Sequence, residues 1–92
     1  MQILLKPAQA GTLESSDILV TVSPAPQGAG VTIHLTSPTM QQYGEHIRNL
    51  ILGLLGGCGV ADADVVVNDK GAVDFVIEAR VRTAISRAMK AS

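Results

Sequence analysis

The fold of this chain is decided by residues 18–37, which read ILVTVSPAPQGAGVTIHLTS. Ile18, Val20 and Val22 recur at every second position, the period of a half-buried strand. A second alternating run occupies residues 31–36. The two prolines and two glycines between these runs oppose regular structure and predict a turn. The stretch therefore predicts a β-hairpin.

Two helical patterns follow the predicted hairpin, with a third strand between them. Ser37 and Pro38 are typical of a helix start, with serine at the N-cap and proline at the first helical position. An apolar face at three- and four-residue spacing comes next and comprises Tyr43, Ile47, Leu50, Ile51 and Leu54. We expect this helix to end at residues 56–57, because glycine adopts the left-handed cap conformation at low cost. Residues 65–67 then predict a strand, 68–71 a turn and 73–89 a long amphipathic helix.

These elements give the order β-β-α-β-α. They predict an α+β fold, a two-layer sandwich in which a small, mainly antiparallel sheet carries both helices on one face. A length of 92 residues is that of a single domain. Residues 1–14 contain Pro7, Gly11 and several small residues, and they are expected to form an extended arm that leads to Ser15.

The composition excludes several classes of protein. A net charge of −1 opposes non-specific nucleic-acid binding, which needs a basic face. The most apolar stretch, residues 50–61, is shorter than the roughly 20 residues of a membrane span, and residues 1–6 are too short for the apolar core of a signal peptide. One cysteine permits no intrachain disulfide and suits the reducing cytoplasm. We therefore expect a cytoplasmic protein that binds neither nucleic acid nor membrane.

Few residues are candidates for chemistry. Ser15 and Ser16 stand between Glu14 and Asp17, where they form either a turn that satisfies the backbone or a site of covalent attachment. His34 and His46 are distant from them in sequence and, together with one cysteine, match no zinc pattern. Cys58 follows a predicted helix C-terminus, whose partial negative charge opposes thiolate formation. We expect no metal site and no catalytic residue.

Three segments resemble the acyl carrier protein of citrate lyase, the small gamma subunit of that complex. They are AGTLESSD at residues 10–17, QYG at 42–44 with Ile47 and Arg48, and DKGAVD at 69–74 with Ile77, Ala79 and Arg80. They occur in the family's order over most of the chain. Tyr43 stands where the family usually has phenylalanine, and Phe75 where it often has cysteine.

The resemblance implies a non-catalytic carrier. Ser15, which follows the glutamate of the motif, would carry phosphoribosyl-dephospho-coenzyme A through a phosphodiester, attached by a prosthetic-group transferase. The thiol of this phosphopantetheine-like arm would hold acetyl and citryl thioesters. The alpha subunit of citrate lyase would exchange acetyl for citryl, and the beta subunit would release oxaloacetate and restore the acetyl form.

Three alternatives remain open from the sequence, one of which is a catalytic protein built on Cys58. The acyl carrier subunit of malonate decarboxylase uses the same type of prosthetic group. A small ligand-binding or regulatory α+β domain, with the loop at residues 56–59 near its pocket, would need no covalent group. The last helix is locally basic, with Arg80, Arg82, Arg87 and Lys90, and is either simply solvated or a surface that docks a partner or steers the arm.

Overall fold

The computed structural model describes residues 3–90 and contains four strands and two helices. In chain order they are β1 Ala8–Gly11, β2 Ile18–Pro24, β3 Val31–Thr36, α1 Met40–Gly57, β4 Ala63–Asp69 and α2 Asp74–Met89. The predicted α+β class is confirmed. One strand is added to the predicted order, because Ala8–Gly11 of the expected arm pairs with β2. Residues 1–2 of that arm lie outside the described residues.

The strand order in the sheet is β1-β2-β4-β3. β2 is antiparallel to both of its neighbours, whereas β3 runs parallel to β4. The predicted hairpin between residues 18–23 and 31–36 is therefore wrong. β4 lies between these strands and pairs with both. Its alternate residues, among them Val65 and Val67, are fully buried in the core, as suits a strand at the centre of the sheet. Helix α1 provides the crossover that two parallel neighbours require.

Both helices cover one face of the sheet. Ile18, Val20 and Val22 of β2 are fully buried on that face. They share one core with residues from both helices, among them Ile47, Ile51, Leu55, Ile77, Val81 and Ile85. Burial of each such aliphatic side chain contributes roughly 1.5–3 kcal/mol. The core is aliphatic, since the side chains of both aromatic residues, Tyr43 and Phe75, are exposed.

The start of α1 differs from the prediction. The helix begins at Met40 rather than at Pro38, and Ser37 is not its N-cap. The Ser37 hydroxyl instead accepts a hydrogen bond from the Thr39 amide and donates one to Asp69, at 3.2 and 2.7 Å. The predicted end of the helix at Gly57 is confirmed, but Gly56 and Gly57 are helical, and the glycine with a positive φ at this end, 77°, is Gly59. The third strand is longer than expected, and α2 begins one residue later than expected.

The segment before β1 is hydrogen-bonded to the end of α2. The amides of Leu5 and Lys6 both donate to the carbonyl of Ala88, at 2.8 and 3.3 Å. Leu4 is 2% exposed and belongs to the core. Within residues 3–90, neither helix is long and apolar enough to cross a bilayer.

Gly11 is the last residue of β1 and has no room for a side chain. We expect its replacement to lower the free energy of unfolding. Its φ of 102° is unfavourable for other residues, and an added Cβ would overlap the carbonyl of Ile18. Gly28 also has a positive φ, 86°, but an added Cβ there would meet no atom within 4 Å. Gly28→Ala should cost about 1–2 kcal/mol of unfolding free energy, and Gly11→Ala an additional 1–3 kcal/mol or so. Urea denaturation measures both values, and equal losses would contradict the steric argument.

Candidate functional site

Ser15 lies in the loop that joins β1 to β2, which we call the attachment loop (residues 12–17). The amide of Asp17 donates to the carbonyl of Glu14 at 3.1 Å, closing a turn whose central residues are Ser15 and Ser16. Ser16 has a φ of 65°, as the third residue of a type II turn requires. Both serine side chains are exposed. Among residues 3–90, the Ser15 hydroxyl has no hydrogen-bond partner.

Asp17 holds the attachment loop to α2. Its two carboxylate oxygens accept hydrogen bonds from Nε and Nη2 of Arg80, at 3.1 and 2.9 Å. The same carboxylate accepts the Thr12 hydroxyl at 2.7 Å and the Ile18 amide at 2.7 Å. The hydrogen bonds from Arg80, then from Thr12 and from the Ile18 backbone, lower the pKa of Asp17 from 3.8 to about 2. Two hydrogen bonds between a planar guanidinium and a carboxylate fix the relative orientation of the two groups in addition to pairing their charges.

A backbone contact fixes the other side of the loop. The Ser16 amide donates to the carbonyl of Lys70, and the Lys70 amide donates to the carbonyl of Asp17, both at 2.9 Å. The attachment loop therefore lies against the turn between β4 and α2. It is held at Ser16 and Asp17 and leaves the Ser15 side chain exposed.

The histidines do not form a catalytic triad with Ser15. Nε2 of His34 lies 3.0 Å from Oδ1 of Asp64, and Nε2 of His46 lies 2.9 Å from Oδ2 of Asp74. The Asp17 carboxylate is bound to Arg80 rather than to an imidazole. Over the described part of the chain, no group of three or more His, Cys, Asp or Glu side chains could hold a metal ion.

Two of the four basic residues in and directly after α2 bind other parts of this chain. Arg80 binds Asp17, and Nη1 of Arg87 donates to the carbonyl of Gln9 in β1 at 2.8 Å. Arg82 and Lys90 are exposed. The contact of Arg80 with Asp17 has no local signal in the sequence, because 63 residues separate the two.

A cavity of about 460 Å³ lies between α1 and the start of α2, beside the turn that contacts the attachment loop. Tyr43, Gly71 and Ile77 are among the residues that line it. The loop at residues 56–59, which the ligand-binding alternative placed near a pocket, does not line this cavity. Cys58 lines a separate surface depression together with Arg82 and Met89.

Several curated proteins are similar to this chain over most of its length. The citrate lyase acyl carrier protein of Albidiferax ferrireducens is 49% identical over 86 residues, which are 94% of this chain and 87% of that protein. That of Rhodopseudomonas palustris is 46% identical over the same shares. That of Vibrio cholerae is 49% identical over 82 residues, 89% of this chain and 83% of the relative. The chain belongs to the citrate lyase acyl carrier protein family.

The family of the malonate decarboxylase delta subunit, an acyl carrier type, also matches residues 5–88 of this carrier. A solved Pseudomonas malonate decarboxylase hetero-tetramer in complex with malonate contains a chain of the same fold. The TM-score is 0.79 at 20% identity, over 95% of this chain and 88% of that one. A chain of that complex therefore shares this fold, and the fold alone does not distinguish a citrate lyase protein from one of malonate decarboxylase.

Membership of this family confirms the resemblance drawn from the three sequence segments. Acyl carrier proteins are non-catalytic carrier subunits, and this chain is one of them. The family also implies a covalently attached prosthetic group and a complex of several subunits.

Removing the guanidinium of Arg80 should release the attachment loop of this carrier. In Arg80→Gln the pKa of Asp17 should rise from about 2 toward 3.8, staying below that value because the Thr12 and Ile18 hydrogen bonds remain. A carboxyl group with a depressed pKa stabilises the fold at pH values above its unfolded pKa, and this contribution is lost as pH falls through the folded pKa. The free energy of unfolding of the unmutated chain should therefore exceed that of Arg80→Gln by a constant amount above about pH 4. This difference should shrink as the pH falls toward 2.

The matched control is Arg82→Gln, which removes the same charge from an exposed position on the same helix. It should leave the Asp17 titration unchanged. Carbon-detected NMR of the Asp17 carboxyl measures the pKa, and urea unfolding at pH 2, 4 and 7 measures the stability. An unchanged Asp17 pKa in Arg80→Gln would show that the guanidinium does not hold this carboxylate.

Proposed function

We propose that this chain is the acyl carrier subunit of citrate lyase, a single carrier domain that works in the cytoplasm. Phosphoribosyl-dephospho-coenzyme A would be joined to Oγ of Ser15 through a phosphodiester. The observation that carries the proposal is the position of Ser15 in a loop that is hydrogen-bonded on both sides. Its side chain is exposed there and has no hydrogen-bond partner among the residues that the structure describes. The names of the relatives support citrate lyase as the complex.

The charges of the attachment loop and of the adjoining turn are compatible with an anionic phosphodiester at Ser15. Lys70, which contacts the attachment loop through its backbone, has an exposed cationic side chain at the same turn. Arg80 neutralises the charge of Asp17, so that Glu14 is the remaining acid of the loop. The acidic side chains of the loop therefore repel a phosphodiester at Ser15 less strongly than the sequence Glu-Ser-Ser-Asp suggests.

Ser15 suits attachment better than Ser16. The backbone of Ser16 has a positive φ, and its amide is bound to Lys70. Modification of Ser16 would place a large group directly beside that contact. Ser15 is the preceding residue of the turn, and its side chain is exposed.

The chain itself positions the carrier group and takes no part in acyl chemistry. The bound group supplies the thiol that holds acetyl and citryl thioesters. The attachment loop keeps Ser15 accessible to the transferase, and α2 holds the loop in place through Arg80. The citrate lyase alpha and beta subunits would carry out acyl exchange and cleavage.

The acyl carrier subunit of malonate decarboxylase remains the second candidate. It is favoured by the family match over residues 5–88 and by the fold of the Pseudomonas complex. The modified chain can be added to carrier-depleted citrate lyase and, separately, to carrier-depleted malonate decarboxylase. Restored citrate cleavage supports our proposal, and restored malonate decarboxylation alone supports the second candidate.

Ser15→Ala should abolish attachment of the prosthetic group, because it removes the only atom that forms the phosphodiester. The matched control is Ser16→Gly, since glycine adopts the positive φ of this position without strain. Each variant is produced together with the transferase and examined by intact mass and peptide mapping. The control should carry the group on the peptide that contains Ser15.

Two results would contradict this prediction. One is a group on Ser15→Ala at the level of the unmutated chain. The other is an unmodified mass for the unmutated chain in native cells where citrate lyase is active.

A further inference from the structure

The cavity beside the attachment loop is a second feature of this end of the molecule, and the carrier reaction does not account for it. Its volume of about 460 Å³ lies within the range of small-molecule sites. The walls come from the first half of α1, the β4–α2 turn and the first turn of α2. They include Thr39, Tyr43, His46, Gly71, Val73 and Ile77.

The chemistry of the walls selects an uncharged ligand. Most of the surface that lines the cavity is apolar, and Tyr43 adds an aromatic ring that is 57% exposed. The acidic residues that line the cavity are Asp69 and Asp74, and His46 is paired with Asp74. Two carboxylates in the wall disfavour phosphate groups and citryl carboxylates, whereas a neutral aromatic ring suits the apolar surface and can stack on Tyr43.

The cavity lies next to the attachment loop. Gly71 lines it, and the preceding residue, Lys70, exchanges two backbone hydrogen bonds with Ser16 and Asp17. Ile77 also lines it, one helical turn before Arg80, which binds Asp17. A group attached at Ser15 therefore starts close to the cavity.

We propose that this cavity binds the adenine ring of the carrier's own prosthetic arm. This inference rests on the proposed attachment at Ser15. The adenine is the neutral aromatic part of the arm, and the phosphates on either side of it remain in solvent. With the adenine bound, the pantetheine portion and its thiol extend freely, so that acyl exchange on partner subunits is not obstructed.

Weak binding is sufficient for this role. A tethered ligand has an effective concentration in the millimolar range, so a millimolar affinity for the free ring populates the bound state. Such an affinity also lets the arm leave when a partner's active site takes it up.

The test begins with the unmodified chain and free adenosine. Amide shifts in NMR spectra should concentrate at Gly71, Val73 and Ile77 during the titration. Tyr43→Ala should weaken binding roughly tenfold, because a stacking partner is lost. Phe75→Ala is the matched control, since this side chain is also aromatic and 74% exposed but does not line the cavity. It should leave the affinity unchanged.

The second step compares the modified chain with the unmodified one. The same amides should shift when the group is attached at Ser15, and Tyr43→Ala should remove these shifts while the intact mass still shows the group. Shifts confined to residues 12–17, or pocket shifts that occur only after a partner subunit is added, would overturn the inference while the attachment stands. If the group is absent from Ser15, the proposed function fails instead. Adenosine that perturbs no cavity amide at millimolar concentration overturns the inference in either case.

Discussion

The central position of β4 is the constraint on which the rest of the structure depends. β4 pairs antiparallel with β2, where Ile18 lies opposite Asp69, and parallel with β3, where Thr36 lies opposite Asn68. The start of β2, the end of β3 and the end of β4 therefore meet at one edge of the sheet. The attachment loop, the entry to α1 and the turn before α2 all extend from that edge. Ser15 and the cavity lie together because of this strand arrangement.

Two aspartates stabilise the segments that converge there. Asp69, which is 2% exposed, accepts the amides of Gly71 and Ala72 at 3.1 and 2.9 Å and the hydroxyl of Ser37 at 2.7 Å. It thereby joins the turn before α2 to the entry of α1. Asp17 joins the attachment loop to α2 through Arg80. The buried carboxylate of Asp69 would carry an uncompensated desolvation cost if it lost these donors, so it fixes the geometry of the segments around it.

Local patterns in the sequence predicted most of the elements but not their pairing. Alternation identified β2 and β3, three- and four-residue spacing identified both helices, and glycine marked the end of α1 correctly. The hairpin was wrong because alternation shows that a strand has a buried face and not which strand lies beside it. The succession of β3, α1 and β4 was the available signal, since a strand, a helix and a strand commonly form a parallel unit.

The site was predictable in part for the same reason. The resemblance identified Ser15 as a candidate, and the structure shows its side chain exposed in the loop. The contact between Asp17 and Arg80 could not be inferred, because no local pattern connects residues so far apart in sequence. Composition required an aliphatic core, but it did not indicate that Tyr43 would line a cavity.

The three segments that carry the family resemblance occupy this same end of the fold. Residues 10–17 form the attachment loop and the end of β1, and residues 42–48 lie in α1, where Tyr43 faces the cavity. Residues 69–80 supply both Asp69, which fixes the turn, and Arg80, which binds the loop. A motif that is scattered along the chain is thus one continuous surface in space. The residues beyond Ser15 hold the loop in which that serine is exposed and shape the cavity beside it.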